Sequence, residues 1–222
     1  MKARTLFRVL LVLLVVFFAV LAMRSIMRPE RFKTVYTLRH DEIVNRLTSI
    51  RTIQTVYKNE KKRFAGSVDE LVDFVENGTI VIVKNTGEIP EDMTEEQAFK
   101  AGLLKKEEVQ IPAKNKILEL DPNVMLKDFQ YIPFTDKKKF TIDTASISSA
   151  TYSIPVYRID VPIDDILANM DRSIQPENAN VFVKLWNKLF YSGLAEETQY
   201  KSQYKDIWMG SLTEASTTGS WE

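Results

Sequence analysis

Residues 6–23 read LFRVLLVLLVVFFAVLAM, and Arg8, near the upstream edge, is the only charge among them. A helix rises about 1.5 Å per residue, so this run covers roughly 27 Å, close to the hydrocarbon thickness of a bilayer. No other stretch of the chain matches it in length and apolarity. The sequence therefore predicts a single N-terminal membrane anchor with nearly all the mass on one side. A cleaved secretory signal is the rival reading. It finds a basic start in Lys2, Arg4 and Arg8 and a small-residue site at Val20-Leu21-Ala22. The uninterrupted core from Val9 to Met23 lies at the upper limit for signals, and Arg24, Arg28 and Arg31 follow at once, which suits a membrane-edge flank. Basic residues on both sides leave the charge rule undecided. The upstream tail is too short to be a domain, so the expected orientation has the N-terminus in the cytoplasm and the body in the periplasm.

Composition narrows the chemistry. Lys and Arg total 30 and Asp and Glu total 30, so there is no basic excess for a nucleic-acid footprint. Cysteine is absent, which excludes disulfides, thiolate metal sites and a thiol nucleophile. With only 7 glycines, Gly-rich phosphate cradles have little material.

Outward from the anchor, Tyr36, Ile43, Leu47, Ile50, Gln54, Tyr57 and Phe64 recur at helical spacing, widened by Val44 and Ile53. Arg39, Glu42, Asn45, Arg46, Lys58, Asn59 and Lys62 form the opposite, solvent-facing set. The pattern predicts a long helix, broken or bent near Pro29, whose stripe packs on a distal domain. Gly66-Ser67 ends it. Ser67 with Glu70 forms a capping box for a second helix buried through Leu71, Phe74 and Val75, with Asn77-Gly78 as a left-handed stop. TIVIVK at 79–84 predicts a strand and 85–90 a turn. Thr94 with Gln97 caps a short helix ending at Gly102. Residues 109–111 predict a strand, 121–123 a turn, and 129–134 with 140–144 a hairpin whose loop carries Lys137-Lys138-Lys139. A strand follows at 154–161, a helix from Pro162 to Met170, an amphipathic helix from Pro176 to Tyr191, and a last strand around 207–209. The small-residue tail 211–222 reads as mobile at its end.

The order of anchor, amphipathic helix and small sheet resembles the type IV pilin and pseudopilin plan. Ile50 to Tyr57, then Arg63-Phe64, then Ser67-Val68-Asp69-Glu70-Leu71 are similar to the pseudopilin passage from the long helix into the globular part. The prepilin-peptidase signal is missing, since nothing from Met1 to Met23 is Gly or Glu. The resemblance therefore implies the plan, not maturation or ordinary pilus polymerisation. Tyr131-Ile132-Pro133-Phe134 and the ending Gly219-Ser220-Trp221-Glu222 are similar to a family of single-pass inner-membrane proteins of Bacteroidetes. That likeness implies location and architecture, with no mechanism attached.

Candidate chemistry is sparse. His40-Asp41-Glu42 has metal-ligand types, but adjacent helical side chains diverge by about 100°. Asp164-Asp165 near Asp160 reads as charge at a helix N-terminus. Ser146, Ser148, Ser149 and Ser153 have no recognisable base. No catalytic, cofactor or metal residue is assigned and no cofactor is expected. Leu47, Ile50 and Trp221 are the candidate interaction residues, because interfaces favour large apolar and aromatic anchors.

The expected fold is α+β, a long N-terminal transmembrane and amphipathic helix packed on a small antiparallel-sheet domain. The expected divisions are an anchor at 1–28, an amphipathic helix at 29–65, a soluble domain at 66–210 and a polar tail at 211–222. The expected role is a non-enzymatic, pseudopilin-like assembly subunit of the bacterial inner membrane. Its partners would be the lipid bilayer and other envelope proteins or copies of itself, with no nucleic acid. The alternative is a membrane-tethered module that binds a small ligand or cell-wall glycan.

Overall fold

The computed structural model describes residues 2–86, 94, 97, 105–148, 152–194, 202 and 204–222. Its spine is one helix, α1 (Lys2–Lys61), with Pro29 inside it. The expected break is not there. Pro29 removes one donor, but it and Ser25, whose carbonyl is thereby freed, both lie on the exposed side, where solvent can satisfy that oxygen. From Arg4 to Ala19 every side chain is exposed. From Phe32 onward the same helix is the centre of the core, with Ile43, Leu47, Ile50 and Ile53 fully buried. This is the one helix among the described residues long and apolar enough to cross a membrane.

The turn out of α1 is closed by polar groups that the apolar stripe hid. The buried Gln54 amide donates to the Ala65 carbonyl at 3.0 Å and accepts from the Ala65 amide at 2.9 Å. Helix α2 (Val68–Asn77) then starts on Ser67, whose hydroxyl accepts from the Glu70 amide. Glu70 reaches back one residue further than a simple capping box, to the Gly66 amide at 2.9 Å. Gly78 is not the expected left-handed stop, because its φ is −70°. Glycine is needed there for space: a Cβ would stand 2.3 Å from the Phe74 carbonyl oxygen.

Strand β1 (Thr79–Thr86) pairs antiparallel with β2 (Lys105–Pro112), from Thr79 opposite Pro112 to Thr86 opposite Lys105. The turn expected at 85–90 therefore begins two residues too early, and its remainder falls outside the described residues. The Thr94–Gln97 capping pair is formed, with Thr94 N donating to Gln97 Oε1 at 3.0 Å. The helix expected behind it lies outside the described residues. After β2 the chain turns directly into α3 (Ala113–Leu120), an element without an obvious capping side chain, which buries Ala113 and Ile117.

The hairpin expected over 129–144 is reduced to one bridge, Tyr131 opposite Lys139. Left-handed backbone at Asp128, Phe134 and Lys137 turns the chain too often for a ladder. The second sheet comprises β3 (Ile142–Ser148), β4 (Ser153–Val161) and β5 (Ile207–Gly210), all antiparallel in that order. The expected helix at 162–170 is two short pieces, α4 (Ile163–Ile166) and α5 (Met170–Ile174), separated by Asn169 in the left-handed region. Helix α6 (Val181–Tyr191) starts later than expected, where the Asn180 side chain accepts from the Val183 amide. The tail is held, contrary to expectation. Gly210 N donates to Thr218 O at 2.9 Å, and Ser220 N to Trp208 O at 2.8 Å. Glu222 pairs with Arg51 of α1.

Candidate functional site

The arginines of α1 organise the body. Arg39 belongs by its spacing to the polar face, yet it is 1% exposed. Its guanidinium donates to the carbonyls of Ile166 at 2.9 Å, Ala168 at 2.6 Å and Asn169 at 3.0 Å, and to Ser173 Oγ at 2.8 Å. The Phe134 ring lies 4.7 Å away, within cation–π range. Burial lowers the Arg39 pKa to about 10, which leaves it charged at neutral pH. The same device recurs along the helix. Arg24 donates to the Leu189 carbonyl at 2.7 Å, and Arg28 to those of Phe190 and Ser192. Arg46 donates to those of Asp128 at 3.0 Å and Tyr131 at 2.7 Å. A guanidinium offers five donors in a rigid fork, so one arginine can bond several carbonyls at once, at the end of helix α6 as well as in loops. The end of α6 and the loops near residues 128–131 and 166–169 are thereby tied to α1 at successive heights.

At the distal end a second polar knot fixes α2 to α1. The Tyr57 hydroxyl donates to Glu70 Oε1 at 2.6 Å, and Arg63 pairs with the same carboxylate. Arg63 above all, then Tyr57 and the Gly66 amide, pull the Glu70 carboxyl down to about 2. Burial, with Glu70 adding to it, pushes the Tyr57 hydroxyl up to about 12.

A groove of about 330 Å³ is lined by Val56, Asn59 and Glu60 of α1, Ile80 and Val81 of β1, and Lys116, Glu119 and Leu120 of α3. Lys116 and Glu119 pair at 3.1 Å on its rim. An apolar floor with a charged rim can hold an aliphatic or aromatic group and orient a polar one.

The interaction residues named from the sequence are not brought together there. Leu47 and Ile50 are fully buried in the chain's own core, and Trp221 packs half-buried against it. His40 contacts Asp41 at 3.1 Å, while Glu42 turns to Arg46. Asp160 is held by Arg158 at 2.7 Å and Asp165 by Lys138 at 2.6 Å. Lys139 reaches Asp69 at 2.6 Å, so two of the three lysines in the basic run act as internal latches. Ser146 and Ser148 lie on β3 and Ser153 on β4, while Ser149 falls outside the described residues. Among the described residues no group of three His, Cys, Asp or Glu converges on a common point. Comparison of the chain with protein-family models, curated proteins and solved structures finds no match.

Proposed function

We propose that this chain is a single-pass protein of the bacterial inner membrane that acts through protein–protein contacts, as a pseudopilin-like structural or assembly subunit with its body in the periplasm. The observation that carries the reading is the unbroken helix α1, apolar and exposed over its first third and central to the core thereafter. From Met23 to Lys61 it would lift the distal end of the body roughly 55 Å from the membrane surface. With no flexible linker between anchor and body, the distal surface is held in a fixed position relative to the anchor. Such a part suits a scaffold better than a free catalyst. The structural partners of His40, Asp160 and Asp165 favour a non-enzymatic role.

The test is crosslinking of the full chain in intact cells, followed by detergent extraction and mass spectrometry of the adducts. The expected result is a ladder of self-adducts or a reproducible set of envelope proteins. A clean monomer that brings down nothing contradicts the reading. The second reading, a membrane-tethered module for a small ligand or glycan, is favoured by the groove between α1, β1 and α3. It predicts that Leu120→Glu abolishes ligand-induced thermal stabilisation while leaving the protein folded.

A further inference from the structure

Helix α6 is amphipathic in the wrong sense for a core helix. Val181 is 84% exposed, Phe182 72% and Leu185 66%, while the polar Asn187 is buried. At about 100° per residue, Val181, Leu185, Leu189, Phe182 and Trp186 occupy an arc of about 140°. Phe190, Asn187 and Tyr191 form the next sector and are buried. Lys184 and Lys188 border the apolar arc on its other side and are exposed.

The position of α6 says what covers that arc. Arg24, the first residue after the apolar run, donates to the Leu189 carbonyl at 2.7 Å. Tyr191 lies with Ile26, Met27 and Glu30 around one small recess. Val20, inside the apolar run itself, is half-buried against the body's core. The C-terminal end of α6 is therefore within one helical turn of the point where α1 ceases to be apolar. A bilayer that encloses residues 6–23 must meet the C-terminal end of α6 at the boundary between head groups and acyl chains. Trp and Phe favour that depth, and flanking lysines can keep their amines among anionic head groups.

We infer that α6 is a second, interfacial membrane contact: its Val181–Leu185–Leu189 arc lies in the surface of the same bilayer that α1 spans. The inference rests on the anchor reading above. It gives the body two attachment points, so that α1 can neither tilt nor rotate freely.

The chain has no cysteine, so single-site spin labels can be placed without background. The full chain is reconstituted into phosphatidylethanolamine–phosphatidylglycerol vesicles with a nitroxide at Leu185→Cys or Leu189→Cys. Leu14→Cys reports the anchor and Leu120→Cys the distal surface. All four positions are exposed, so the labels leave the core intact. The expected result is an oxygen-over-nickel accessibility ratio at Leu185 and Leu189 severalfold above that at Leu120 and approaching that at Leu14. A lipid-embedded Leu14 with an aqueous Leu185 overturns the inference and leaves the anchor standing. Labels at Leu185 shielded from both reagents and broadened by spin–spin contact also overturn it, since a second copy would then cover the arc. An aqueous Leu14 removes the anchor itself, and the inference with it.

Discussion

Arg39 Nη1 lies 2.6 Å from the carbonyl oxygen of Ala168, joining residues 129 positions apart in the chain. It is a buried charge bound to backbone dipoles and a hydroxyl. Removing it takes a donor from the Ile166, Ala168 and Asn169 carbonyls and from Ser173 Oγ, and leaves a cavity. Arg39→Ala should lower stability by about 3–5 kcal/mol, and Arg39→Lys, which keeps the charge and loses the fork, by about 2 kcal/mol. Denaturant unfolding of the purified chain in detergent measures both. Equal, near-zero losses would mean that the loops are held by other contacts.

Arg39 also marks where sequence reading runs out. Periodicity identified the stripe from Tyr36 to Phe64, and the structure buries Tyr36, Ile43, Leu47, Ile50, Ile53 and Gln54 as that pattern requires. The Ser67–Glu70 cap and the strand from Thr79 were equally legible, because capping chemistry and β-branching act locally. Arg39 was not. A charged side chain among polar neighbours reads as solvated, and the carbonyls that bind it lie far along the chain. In α6 the opposite occurred: its apolar periodicity predicts a buried face, yet most of those residues are exposed. Periodicity reports the presence of an apolar face and is silent on what covers it.

The knot of Tyr57, Arg63 and Glu70 gives the fold a defined acid limb. The Glu70 carboxyl is lowered from its ordinary 4.5 to about 2, so its contribution is fully present above pH 4.5 and is lost as pH falls toward 2. With Arg63 more than half exposed, that contribution is about 1–2 kcal/mol. Glu70→Gln should lower stability at pH 7 by this amount and flatten the acid limb. The Tyr57 hydroxyl works in the other direction. Raised from 10 to about 12, it stabilises the fold below pH 10 and loses this effect as pH rises toward 12. Stability measured from pH 2 to 7 in Glu70→Gln beside the unaltered chain checks the acid half.

Leu47 and Ile50 are core residues, so their replacement tests folding. Leu47→Asp or Ile50→Asp should cost at least about 4 kcal/mol, each burying an unpaired carboxylate. Leu38, 62% exposed on the same helix, provides the contrast. Leu38→Asp should change stability by about 0.5 kcal/mol or less. Limited proteolysis of the three variants should degrade the first two and spare the third.

The tail makes its own contribution. Trp221 packs half-buried on the core, and a Cβ at Gly219 would stand 2.3 Å from its ring. Trp221→Ala should cost about 1–3 kcal/mol, and Gly219→Ala should destabilise by displacing the same ring. Hydrogen exchange at Gly210 and Ser220, whose amides bond to Thr218 and Trp208, should rise in both variants.

Anchoring by residues 6–23 is tested most directly by alkaline carbonate extraction of cells making the full chain, with intact-mass determination of the extracted protein. The predicted result is retention in the membrane pellet at the uncleaved mass of 25.6 kDa. Release into the supernatant as a species shortened by the N-terminal segment would contradict it, and would make residues 6–23 a signal sequence.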